Sequence, residues 1–121
     1  MFELTKGMLV IDPDMKVSED CATVTAYIET WFDVDEKFGT HTADDDDTWV
    51  NLYGIYDVKT HSLTMKYVVD SPDGSIERDY TPTGSESRIV IEMMQEACQK
   101  RFGCSMEALA ISDQEMEFGG L

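Results

Sequence analysis

The sequence predicts an α+β fold: an antiparallel sheet of four to five strands, run as a meander, with one long C-terminal amphipathic helix packed on it. Three observations carry this. Residues 83–102, TGSESRIVIEMMQEACQKRF, hold the one long run with a 3.6-residue apolar period. The chain before them divides into short runs rich in β-branched and aromatic residues. Turn signals separate those runs, above all Ser71-Pro72-Asp73-Gly74, with Pro where a fixed φ helps and Gly where a positive φ is needed.

Residues 2–11 read as a first strand, closed by the turn signal Asp12-Pro13-Asp14. From Ala22 to Val34 the chain alternates, with Val24, Ala26, Ile28, Thr30 and Phe32 on one face and Thr23, Thr25, Tyr27, Glu29 and Trp31 on the other. A helix started by Ser18 is the competing reading, and the alternation argues against it. Residues 35–47, DEKFGTHTADDDD, are a long acidic loop. Thr48–Val58 and Ser62–Asp70 form a strand pair that turns near Lys59-Thr60-His61, and Ser75–Thr81 returns as the next strand before Pro82 ends it.

The helix is punctuated at both ends. Thr83 and Glu86 have capping-box spacing, Gly103 stands where a left-handed C-cap is wanted, and Lys100 and Arg101 occupy the last turn, where the helix dipole favours cations. At about 100° per residue, Val90, Ile91, Met93, Met94, Ala97, Cys98 and Phe102 share one broad arc, and Glu92, Gln95, Glu96 and Gln99 face away. An arc that wide suits a helix lying on a sheet. After Gly103, Ser105 caps a short helix MEALA, and about residues 112–121 form an acidic tail.

A chain of 121 residues fits a single domain, 1–121, able to bury about two-thirds of its unfolded surface. Its 25 acidic and 9 basic residues give a net charge of −16. Such a charge repels nucleic acid and anionic membrane, so the partner expected is a basic protein, with no direct nucleic-acid contact and no membrane. Three cysteines, Cys21, Cys98 and Cys104, without a CxxC, suit a reducing cytoplasm. The apolar run Met8–Ile11 is too short for a signal peptide or a membrane span.

Two constellations are candidate sites. Asp33, Asp35, Glu36, Asp44, Asp45, Asp46 and Asp47 place seven carboxylates within fifteen residues, with Lys37 as the sole base. Repulsion among them falls when a basic surface or a cation approaches, so the loop resembles a run of phosphates. A calcium loop is the weaker reading: counted from Asp33, the EF-hand pattern meets Lys37 at a ligand position and Phe38 where Gly belongs. The plainer reading is a solvated loop. The second constellation is Tyr27, Trp31, Trp49 and Tyr53, whose strand parity lines one side of the sheet with interface-type aromatics. If the helix covers that side, Phe32, Val50, Leu52 and Tyr56 are exposed instead, and a one-residue register change exchanges the two sets.

Catalysis has little support. His41 and His61 belong to no nucleophile or zinc motif, Cys98 falls on the apolar arc of the helix, and the glycines form no phosphate-binding loop. No catalytic residue, metal site or cofactor is assigned. A small chain of large negative charge is similar, in composition and size alone, to the acidic inhibitors of phages and mobile elements. Those anti-restriction and anti-CRISPR proteins occupy the basic nucleic-acid channel of a target. The sequence therefore leads to a non-enzymatic binding protein whose acidic residues engage a basic partner, with Trp31 and Trp49 as anchors. A module that self-associates through its open sheet face as a homodimer is the alternative. A calcium-binding or metal-dependent protein is the third.

Overall fold

The computed structural model describes residues 3–32, 37 and 49–119, with backbone alone at Trp49 and 113–119. It is an α+β protein. The elements run β1 (Leu9–Ile11), β2 (Lys16–Val17), β3 (Thr23–Thr30), β4 (Trp49–Asp57), β5 (Ser62–Ser71), β6 (Gly74–Tyr80), α1 (Gly84–Phe102) and α2 (Met106–Gly119). Every pairing is antiparallel, in the order β1-β3-β4-β5-β6, with β2 beside β3 beyond the end of β1. Among the described residues this is the expected meander.

The first strand is shorter than the sequence suggests. Lys6–Met8 form a 3₁₀ turn in which Leu9 N–H returns to the Lys6 carbonyl, so extended pairing is confined to Leu9–Ile11. Leu4, ahead of the turn, is buried. The β5–β6 hairpin forms where Pro72-Asp73 demanded it. Ser71 pairs with Gly74, whose φ of 128° is one an L side chain seldom adopts.

α1 begins with the anticipated capping box: Thr83 Oγ1 accepts from Glu86 N at 3.2 Å and Glu86 Oε1 accepts from Thr83 N at 3.0 Å. It ends at Gly103, in the left-handed region at φ 74°. Val90, Met94 and Cys98, four residues apart, form its fully buried row. Phe102, next in that row, is 38% exposed, because α2 folds back beyond Gly103 and Met106 and Ala110 fill the core at that end. α2 itself runs to Gly119, so most of the expected acidic tail is helix.

Burial resolves the face of the sheet. Val24, Ala26, Ile28, Leu52, Tyr56 and Met65 lie under the helices. The register then sends Thr25, Tyr27 and Glu29 of β3, and their partners on β4 and β5, to the opposite side, which no element among the described residues covers. Gly54 permits the close seating of α1: a Cβ there would lie 3.0 Å from Met94 Sδ, 3.3 Å from Ile28 Cδ1 and 3.5 Å from Val90 Cγ1.

Candidate protein-binding face

The uncovered face is built from strand alternation. Tyr27 and Tyr53 are direct cross-strand partners, and their rings meet edge to face with centroids 5.7 Å apart. Lys66 and Asp79 continue that row across β5 and β6. Trp31 follows β3 at the parity of Tyr27 and Glu29 and is 67% exposed, a large apolar surface left to water. Val10, opposite Glu29, is also exposed. Trp49 pairs through its backbone with Asp70 and shares the strand parity of Tyr53.

Carboxylates surround these rings. Glu29, Asp70, Glu77 and Asp79 share the parity of the uncovered face, against Lys16 at one edge and Lys66 near the middle. Asn51 Nδ2 donates to Asp70 at 3.0 Å, Ser75 Oγ donates to the same carboxylate, and Lys66 Nζ lies 3.7 Å from Glu77. Beside β1 the face dips into a depression of about 240 Å³ lined by Val10, Asp12, Asp14, Tyr27 and Glu29 among others. Its chemistry suits the aliphatic stem and cationic head of an arginine or lysine.

Of the residues singled out in the sequence, Trp31 stands on this face with its side chain exposed, and Trp49 joins it by backbone register. Asp33, Asp35, Glu36, Asp44, Asp45, Asp46 and Asp47 lie outside the described residues, as does His41.

Lys37 is a correction. Expected as one base in a solvated loop, it is 6% exposed, with its Nζ 3.0 Å from Glu86 Oε2 and 5.2 Å from the centroid of the Tyr80 ring. Glu86 is fully buried and accepts from Leu4 N at 2.8 Å, Tyr80 Oη at 2.6 Å, Lys37 Nζ and Thr83 N. Burial pushes its carboxyl upward, but the donors at Tyr80, Thr83, Leu4 and Lys37 outweigh that and hold it down at about 2. Burial likewise works against the Lys37 ammonium, and its hydrogen bonds to Tyr80 and Glu86 outweigh it and raise its pKa. The spacing Thr83-x-x-Glu86 signals the cap. It carries no sign that Leu4, Lys37 and Tyr80 converge there.

A second polar cluster joins the β4–β5 turn to α2. Tyr56 Oη donates to Glu107 Oε2 at 2.5 Å, His61 Nδ1 lies 2.9 Å from Tyr56 Oη and 3.1 Å from Glu107, and Gln95 Nε2 donates to Glu107 Oε1 at 2.8 Å. Burial, then the hydrogen bond to Glu107 and its charge, pushes the Tyr56 phenol up to about 12, the reverse of what an activated base or nucleophile needs. These groups tie the turn to the helix. Among the described residues no three His, Cys, Asp or Glu side chains are placed to hold a metal ion, and no helix is long and apolar enough to cross a membrane. Compared with family models, with curated proteins and with solved structures, the chain finds no match.

Proposed function

We propose that this chain is a non-enzymatic acidic binding protein that engages a basic protein surface of the kind that holds nucleic acid, and inhibits its target by occupying that surface. The observation that carries the reading is the uncovered sheet face, where exposed Trp31 and the Tyr27–Tyr53 pair lie among Glu29, Asp70, Glu77 and Asp79. Rigid aromatics provide contact area at little entropic cost, and the carboxylates provide steering and register. The net charge of −16 extends the same preference over the whole molecule, and Asp33, Asp35, Glu36 and Asp44–Asp47 add to it.

A basic partner is favoured over a second copy by the same charges. An isologous dimer through this face sets each carboxylate near those of its twin, between two chains of charge −16. A cleft lined with Lys and Arg gains where a twin loses.

The test is capture from a bacterial lysate at low and then high salt, using the wild type, Trp31→Ala, and a variant with Asp44–Asp47 changed to Asn and Ser, followed by competition of the purified target with duplex DNA. The expected result is a basic nucleic-acid enzyme retained at low salt, released at high salt, weakened in both variants and displaced by DNA. Retention that is indifferent to salt and to DNA overturns the reading.

A further inference from the structure

The polar cluster at the β4–β5 turn brings three metal-ligating side chains to one point from three segments. Tyr56 lies near the end of β4, His61 in the turn with its N–H on the Asp57 carbonyl, and Glu107 in the first turn of α2. Tyr56 Oη and His61 Nδ1 are 2.9 Å apart, His61 Nδ1 and Glu107 Oε2 3.1 Å, and Glu107 Oε2 and Tyr56 Oη 2.5 Å, so the three atoms close a triangle. Protons alone do not hold all three edges well. The phenol has one proton, given to Glu107. Nδ1 has at most one, which it splits between Tyr56 Oη and Glu107 Oε2; in the other tautomer it has none, and two lone pairs face each other at 3.1 Å.

A single cation satisfies all three atoms at once. Donors about 2.0–2.2 Å from a metal and at right angles to one another lie about 2.8–3.1 Å apart, so the triangle has nearly the size of one face of a coordination octahedron. Its 2.5 Å edge is held short by the phenolic proton and widens when that proton leaves. Gln95 fixes the carboxylate from behind: its Nε2 donates to Glu107 Oε1 at 2.8 Å while its own Oε1 accepts from Met106 N at 2.9 Å, which leaves Glu107 Oε2 to the ion. The His61 side chain is 65% exposed, so the cluster is within reach of water to complete the coordination. The net charge of −16 concentrates cations around the whole chain.

We propose that Tyr56, His61 and Glu107 bind ferric iron, through the phenolate oxygen, the imidazole Nδ1 and one carboxylate oxygen. Two anionic oxygens and one imidazole suit iron better than a thiophilic ion, which seeks sulfur, or calcium, which takes six to eight oxygens. Binding releases the phenolic proton to water, and displacing it at neutral pH takes the polarising power of a trivalent ion. The bound ion joins the β4–β5 turn to α2 by coordinate bonds in place of hydrogen bonds. The site is independent of the sheet face.

The experiment titrates the full chain with ferric nitrilotriacetate at neutral pH. The expected result is a visible phenolate-to-iron charge-transfer band that saturates near one equivalent, a signal that iron held by the carboxylates of Asp44–Asp47 does not produce. Tyr56→Phe should lose the band while its circular dichroism stays that of the folded chain, and Tyr53→Phe, on the sheet face, should keep it. His61→Ala changes an exposed side chain and should weaken binding at least roughly tenfold, since losing even an outer-shell partner of a ligand costs about 10–100-fold. The proposal is overturned if no band forms, if Tyr56→Phe retains it, or if His61→Ala binds iron as tightly as the wild type. It is also overturned if equimolar Zn²⁺ suppresses the band, which would assign the cluster to a divalent ion.

Discussion

Replacing Glu86 with glutamine should destabilise the protein far more than a surface change, because the carboxylate is the meeting point of four segments. It accepts from Leu4 N, Lys37 Nζ, Tyr80 Oη and Thr83 N, and it is fully buried. A carboxyl held at about 2 rather than 4.5 contributes roughly 3 kcal/mol of stability at neutral pH. The variant also leaves the Lys37 ammonium buried without a counter-charge, a defect that typically costs about 3–5 kcal/mol. On a domain of this size, about 3 kcal/mol lowers the thermal midpoint by roughly 10 °C. Circular dichroism melts at neutral pH measure this directly. The sign with pH follows from the depressed folded-state value: the contribution is complete above 4.5 and is lost as pH falls from 4.5 toward 2, so wild type and Glu86→Gln should converge over that window. Lys37→Met combined with Glu86→Gln removes both charges and should recover part of the loss. A midpoint drop of less than about 3 °C, corresponding to under ~1 kcal/mol, or a double variant no better than Glu86→Gln, would refute the account of a buried, mutually dependent pair.

The remaining predictions concern the helix seat, the Tyr56 cluster and the net charge. Gly54→Val should destabilise by about 1–3 kcal/mol in urea unfolding, because its side chain enters space already held by Met94, Ile28 and Val90. Tyr56→Phe removes the hydrogen bond to Glu107 and should cost about 1.5–3 kcal/mol at neutral pH. Since the folded phenol titrates at about 12 instead of 10, the wild type should lose roughly 3 kcal/mol more than Tyr56→Phe as pH rises from 10 toward 12, read from paired urea curves. Moderate sodium chloride should raise the thermal midpoint, by screening the self-repulsion of a −16 chain. A midpoint that falls with salt would mean that specific ion pairs outweigh that repulsion.

The parts of this fold that were legible in the sequence are those specified locally. Thr83, Glu86 and Gly103 announce the ends of α1, and each device is present with its expected geometry. Strand β3 follows from an alternation that no helix satisfies, and the β5–β6 turn from Pro72-Asp73-Gly74. β2, with two residues, is too short to leave a periodic signal, and the 3₁₀ turn at Lys6–Met8 is hidden inside an apolar run. The covered face was undecided because both parities of β3 and β4 are apolar enough for a core. Gly54 was the available clue: on the parity of Leu52 and Tyr56, its missing side chain leaves the space that Met94 and Val90 of α1 and Ile28 of β3 fill. Of the candidate site, the aromatic set was legible from parity, whereas its carboxylates on β5 and β6 depended on knowing the register. The burial of Lys37 was beyond reach, since its partners come from residues 4, 80, 83 and 86 and meet through tertiary structure alone.

The distribution of acids gives the uncovered face its meaning. Glu86 is the one fully buried carboxylate among the described residues, and four donors compensate its loss of water. Glu29, Asp70, Glu77 and Asp79 have no such set, and stay at the surface of a sheet face where an obligate interface would demand their burial. An obligate interface has a core depleted of charge, yet here the charges surround the aromatics. Pressing an apolar partner onto this face would take four carboxylates out of water with Asn51 and Ser75 serving Asp70 and Lys66 serving Glu77, at a cost that Tyr27, Tyr53 and Trp31 do not offset. Guanidinium and ammonium groups reverse that balance, because they supply the missing donors while their aliphatic stems cover the rings. On the proposed reading, the residues that keep the free face wetted are the same ones that would select a cationic surface.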